Sequence, residues 1–167
     1  MKYSLPILLT LICLCACSNY KPNISLMEAI EYQRIKDVKA WLKQGVQVNE
    51  FDKKTKTTPL MKAAEVGNVK IARHLLKAGA NVNLKNAANQ TPLIIAAKKG
   101  NTEMLKYLIA NGAKINIQDV RSKTALNYAE ETGNTPMIVL LLKEKFKDKE
   151  DPTILIDASK YGLTDMV

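Results

Sequence analysis

The sequence predicts an all-α fold, a solenoid of stacked helix-loop-helix units, and three observations lead there. Thr58, Thr91 and Thr124 each open a Thr-x-Leu step, at positions 33 residues apart, and Gly67, Gly100 and Gly133 keep the same period. Between these marks apolar residues fall at helical spacing, as in Val69, Ile71, Leu75 and Leu76 or Met104, Leu105, Leu108 and Ile109. Of the 167 residues 47% are hydrophobic but only 5% aromatic, too apolar for disorder and too poor in aromatics for most β-sandwiches.

The first segment is set aside from the fold. Lys2 supplies a positive start, and Leu5 to Leu14 is an apolar run broken only by Pro6 and Thr10. That run is far shorter than the roughly 20 residues a spanning helix needs. It ends in Leu14-Cys15-Ala16-Cys17, with Leu at −3, Ala at −1 and Cys at +1, which resembles a bacterial lipoprotein signal peptide. Cys15 at −2 departs from the usual Ala, Ser, Thr or Val. The resemblance implies removal of residues 1–16, lipid on Cys17, and residues 17–24 as a lipidated tether. Ser18 lacks the Asp typical of inner-membrane retention, so the expected location is the outer membrane, facing the periplasm. The other reading is ordinary cleavage near Ala16, leaving a soluble periplasmic or secreted protein.

Cysteine usage fits export behind such a signal. Cys13, Cys15 and Cys17 are the only three, so a chain processed at Cys17 has one thiol and no internal disulfide. Core packing alone must then hold the domain together.

The repeat region, 25–167, divides into units of about 25–57, 58–90, 91–123, 124–152 and a partial 153–167. In the first, Ala29 to Asn49 aligns with Ala63 to Asn83 at an offset of 34, and the extra residue falls within Glu50 to Thr57. Gln33 stands where the second unit has Gly67, so the first inter-helix turn is expected to differ. In the central units Pro59 and Pro92 suit the first helical turn, where a missing N–H costs nothing. Leu60, Ala63 and Ala64, like Leu93, Ala96 and Ala97, supply a packed face with small residues for close approach. Gly67 and Gly100 end the first helices; Val69 to Lys77 and Thr102 to Ala110 form the second; Gly79 and Gly112 end those. The fourth unit runs into the charge-balanced stretch Lys143 to Asp151, and the fifth is expected to be a frayed or incomplete cap.

The order Thr-Pro-Leu, Ala-Ala, Gly and Gly-Ala-x-Val-Asn resembles the ankyrin repeat over most of the chain beyond residue 24. The resemblance implies an ankyrin-repeat solenoid with short β-hairpin-like finger loops that binds another protein through a concave surface of fingertips and first helices. Mapped here, that surface comprises Lys54, Thr55, Thr57, Ala87, Ala88, Gln90, Val120, Arg121 and Lys123 on the fingers. The exposed first-helix ends add Glu65, Val66, Lys98, Lys99, Glu131, Thr132, Lys160 and Tyr161. Lys98, Lys99, Arg121 and Lys123 are expected to form one basic band, suited to an acidic patch on the partner. Two departures bear on finger shape. The family's usual His after Thr-Pro-Leu is replaced by Met61, Ile94 and Asn127. Its usual Gly two residues before the Thr is replaced by Lys56, Asn89 and Ser122, so looser or differently shaped fingers are expected.

The net charge of +9, from 25 Lys plus Arg against 16 Asp plus Glu, is compatible with an acidic protein, an anionic membrane or nucleic acid, or with solubility alone. Nucleic-acid binding is not expected, because basic residues are not interleaved with aromatics. Catalytic chemistry has little to build on. His74 is the only histidine, no mature Cys pair completes a zinc site, and no Gly-x-Ser-x-Gly elbow or phosphate-cradling glycine loop occurs. Glu130 and Glu131 are neighbours on a helix and point different ways. Trp41, on a predicted second helix, suits helix packing.

The sequence therefore predicts a monomeric, non-catalytic binding scaffold or inhibitor without cofactor or metal, tethered in the envelope. The alternative is a secreted ankyrin effector acting on a host protein. Mass spectrometry of the mature N-terminus is expected to find a diacyl- or triacyl-modified Cys17; an unmodified residue 17 or 18 rules the lipoprotein reading out.

Overall fold

Each first helix starts where a hydroxyl is placed to receive its free N–H groups. Thr58, Thr91 and Thr124 sit in extended backbone, and their hydroxyls accept from the amides of Met61 (3.3 Å), Ile94 (3.3 Å) and Asn127 (3.4 Å). Ser25 accepts from Glu28 N (3.2 Å), and the Glu28 carboxylate accepts from Ser25 N in return (2.8 Å). A cap of this kind is worth about 1 kcal/mol. Pro59 and Pro92 follow their caps as first helical residues.

A computed structural model describes residues 20–145, with eight helices and no strand among them. They pair as α1 (Leu26–Glu31) with α2 (Ile35–Lys43), α3 (Pro59–Val66) with α4 (Val69–Lys77), α5 (Pro92–Lys98) with α6 (Thr102–Ala110), and α7 (Ala125–Glu131) with α8 (Thr135–Lys145). The second-helix bounds match those predicted by periodicity. Residues 1–19 and 146–167 lie outside the described part, and with them the expected signal segment, Cys17, and the expected end of the fourth unit and partial fifth.

Within each of the four described units one reverse turn joins the two helices. Gly67, Gly100 and Gly133 take left-handed backbone (φ 77°, 72° and 64°). The amide after each reaches back into the first helix: Asn68 to Ala63 O (3.1 Å), Asn101 to Ala96 O (2.9 Å) and Asn134 to Ala129 O (3.1 Å). The expectation that the first unit turns differently is corrected. Gln33 adopts φ 55°, and Arg34 N donates to Ala29 O (2.8 Å) as its counterparts do. A side chain in that region costs about 1–2 kcal/mol. The retained turn bond and a hydrogen bond from Asn68 Nδ2 to Gln33 Oε1 (3.0 Å) offset it.

Units stack in two rows. First helices contact one another in the order α1, α3, α5, α7, and second helices in the order α2, α4, α6, α8, with contacts denser along the first row. Fully buried Ala29, Ala63, Ala64, Ala96, Ala97 and Ala129 let the first helices approach closely, so that row forms the inner side. Between rows lies one continuous core, including Ile30, Leu60, Ile71, Leu75, Leu93, Met104, Leu105, Leu108, Met137 and Leu141, all under 3% exposed. Met61 and Ile94, where the family has His, are buried in it as apolar side chains.

A polar clasp repeats at the first two unit boundaries. Asn49 Nδ2 donates to Gly79 O (3.1 Å) while its Oδ1 accepts from Asn81 N (2.7 Å). Asn83 does the same one unit on, to Gly112 O (3.1 Å) and from Lys114 N (2.9 Å).

The tether expected at 17–24 is shortened by its own packing. Pro22 is buried; Tyr20 donates its hydroxyl to Asp37 on α2, and its carbonyl accepts from Gln44 Nε2 (3.2 Å). Trp41 Nε1 donates to Ile24 O (2.9 Å). Residues 20–24 thus belong to the first unit, held along α2 by polar and apolar contacts that a free tether lacks.

Candidate protein-binding surface

Each finger is built around one Asx residue. Asp52 Oδ1 accepts from the amides of Lys54 (3.0 Å) and Thr55 (2.8 Å), and from the Thr55 hydroxyl (2.9 Å). Asn86 Oδ1 accepts from Ala88 N (2.9 Å) and Gln90 N (2.9 Å). Asp119 Oδ1 accepts from Arg121 N (2.8 Å) and Lys123 N (3.1 Å). A short polar side chain that bonds backbone two residues on imitates a turn and fixes it.

These acceptors overturn the expectation of loose or divergent fingers. Lys56, Asn89 and Ser122 all take left-handed backbone (φ 57°, 56° and 59°) where glycine is usual. The closing bonds also correspond: Asp52 N to Thr57 O, Asn86 N to Gln90 O and Asp119 N to Lys123 O, each 3.0 Å. The first spans one residue more than the others, which locates the extra residue of the first unit inside this loop, as the spacing predicts. Neighbouring fingers are joined by Ala87 N to Thr55 O (3.1 Å) and Val120 N to Ala88 O (3.1 Å). The tips therefore form one hydrogen-bonded row.

Asp119 is the most constrained acceptor, at 6% exposure, with the Tyr128 hydroxyl donating to Oδ2 at 2.6 Å. Burial alone pushes its carboxyl upward. The hydrogen bonds from Tyr128 and from the Lys123 and Arg121 amides outweigh that and hold it below the usual carboxylate range. Because the folded pKa is depressed, this contribution is complete above the ordinary Asp range and is lost only as pH falls through the lower folded value.

The inner row of helix ends carries a ladder of ion pairs. Lys62 Nζ lies 3.4 Å from both Glu31 and Glu65, and Lys99 Nζ lies 3.2 Å from Glu65, linking three units. Lys123 pairs with Glu131, which connects the third finger to the helix row. Desolvation raises Glu65, but Lys99 and Lys62 overcome it and lower its pKa.

The expected site residues fall into three groups. Glu65 with Lys99 and Lys123 with Glu131 are brought together. Thr57 and Gln90 are half-buried and engaged within their own fingers, through Thr55 Oγ1 and Asn86. Lys54, Lys98 and Arg121 are exposed and, among the described residues, form no ion pair, while Val66 is half-buried. Tyr161 and Lys160 lie outside the described residues. The basic band is thus half neutralised from within: the surface alternates in sign, with Lys98 and Arg121 as its open cations.

Glu31, Tyr32 and Lys62 were missing from the expected surface. Tyr32 ends α1 at 68% exposure and, with Val120 at 62% on the third finger, is one of its open apolar groups. The offset of 34 that aligns the first two units places Glu31-Tyr32 on Glu65-Val66, so the signal was present in the spacing. His74 and Trp41 stand off this surface on second helices, the latter packed against the core. Among the described residues no group of three or more His, Cys, Asp or Glu is placed to hold a metal, and no helix is long and apolar enough to cross a membrane.

A family model described as ankyrin repeats, in three copies, matches residues 26–119. Comparison with the curated proteins finds no match.

Asp119→Ala is expected to cost roughly 1–3 kcal/mol, because the buried Tyr128 hydroxyl and two amides lose their acceptor. Denaturant unfolding gives the cost, and amide exchange at Val120 should accelerate with it. An unchanged midpoint would show that Asp119 does not organise the finger.

Proposed function

The chain belongs to the ankyrin-repeat family, and from that membership we propose a non-catalytic scaffold or inhibitor that holds a protein partner on its concave surface while a lipid on Cys17 tethers it in the bacterial envelope. Ankyrin repeats generally mediate protein–protein interaction. The observation that carries the reading is the continuous face made by three bonded fingertips and four first-helix ends. It is rigid before any partner arrives, so little ordering entropy is lost on binding.

The alternating ladder refines the partner's chemistry. A uniformly acidic patch would meet Glu31, Glu65 and Glu131 as well as the lysines. A complementary surface instead offers acceptors to Lys98 and Arg121 and apolar contact to Tyr32 and Val120, exposed aromatics being the usual energetic centres of interfaces.

The test is affinity capture from envelope extract with the wild-type chain and with Tyr32→Ala/Lys98→Glu/Arg121→Glu. A partner held on the concave face should be recovered about tenfold less, or worse, by the variant, since a truncated anchor alone costs about 2 kcal/mol. Equal recovery of the same protein by both chains would remove the concave face from the function.

A further inference from the structure

The outer helices of the first two units repeat one pattern of charge. Lys36, Lys39 and Lys43 on α2 stand at positions i, i+3 and i+7, and Lys70, Arg73 and Lys77 on α4 occupy the equivalent positions 34 residues on. This spacing places three cations on one face of each helix, and all six are exposed. Among the described residues none of the six forms an ion pair, whereas Lys62, Lys99 and Lys123 on the inner side all do. Neither α2 nor α4 offers an exposed carboxylate: the one acid on them, Asp37, is buried beside Arg34 Nε at 2.5 Å. The pattern stops at the third unit, where Glu103 takes the place of Lys36 and Lys70.

Like charges so placed repel one another and oppose folding unless something outside relieves them. Their joint field is felt at His74, half-buried beside them. Burial, then Lys39, Lys77 and Arg73, push its pKa down.

We propose that this convex face, on α2 and α4, docks on an anionic lipid surface. Three features favour lipid headgroups over other anions. Five of the six cations are lysines, point charges that suit a fluid array of headgroups, without the paired forks that read a fixed phosphate. No exposed aromatic stands on α2 or α4 to stack a base: Trp41 is half-buried in the core contacts. And the chain enters beside α2, since residues 20–24 bond to its Asp37 and Trp41 and to Gln44 just after it, and Cys17 is only three residues, at most about 10 Å of chain, from Tyr20. A face held to the leaflet here leaves the concave surface open. The inference stands whether or not Cys17 carries lipid.

The test uses the full chain with Cys17→Ser, so lipid attachment plays no part. Sedimentation with vesicles of phosphatidylcholine is compared with vesicles that also contain phosphatidylglycerol. Binding should appear with the anionic vesicles and fall as ionic strength rises. Lys39→Glu/Arg73→Glu/Lys77→Glu should weaken it by about tenfold or more, since each basic residue near an anionic surface contributes several-fold to partition. Lys53→Glu/Lys85→Glu/Lys114→Glu, which changes net charge equally at exposed sites off α2 and α4, should retain it. Equal binding to neutral vesicles, an equal loss in both variants, or stronger binding to a DNA duplex than to the anionic vesicles would overturn the proposal.

Discussion

No helix pair among the described residues can bury its own apolar face, and everything else follows from that constraint. α3 and α4 present Leu60, Ile71 and Leu75, and α5 and α6 present Leu93, Leu105 and Leu108; all are fully buried only because a neighbouring unit covers them. Burying one such side chain is worth about 1.5–3 kcal/mol, and every boundary buries several. The Asn49 and Asn83 clasps are worth about 1 kcal/mol per bond. Burial therefore supplies the stability, and the clasps fix the register at which units meet.

Register is what makes a surface out of repeats. With each unit held in one position relative to the next, Thr55, Ala87, Ala88 and Val120 can bond tip to tip, and Glu31, Lys62, Glu65 and Lys99 can form a ladder across three units. The two sides then differ in their electrostatics. Inside, acids and bases satisfy each other and leave Tyr32, Lys98 and Arg121 open. Outside, among the described residues, the cations of α2 and α4 form no ion pair, and Arg73 alone rests on an aromatic ring, that of Tyr107 at 5.8 Å. On the proposed reading, one face takes a protein partner and the other a diffuse anionic surface.

Within the described residues the fold was almost wholly legible in the sequence, because a 33-residue period with caps and glycines in fixed order permits few alternatives. Helix bounds in the central units and the site of the extra residue in the first loop followed from spacing alone. Backbone conformation at single positions did not. Gln33, Lys56 and Ser122 read as departures because their intrinsic cost at positive φ is visible in a sequence. The bonds that offset it, from Asn68 and to Asp52 and Asp119, come from residues elsewhere in the chain and appear only once the chain is folded. The surface was half legible for a similar reason. Its positions follow from the repeat, but which lysines are neutralised depends on distances between units. Tyr20 and Pro22 likewise looked like tether and proved to be packing.

The central claim is that the units hold one another in place and cannot stand alone. Native-state hydrogen exchange at increasing denaturant tests it most directly. Amides of α3 and α4 around Leu75 and those of α5 and α6 around Leu105 should converge on a single opening free energy, because uncovering either unit exposes the other. Separate opening energies for the two units, each insensitive to the other, would contradict the account.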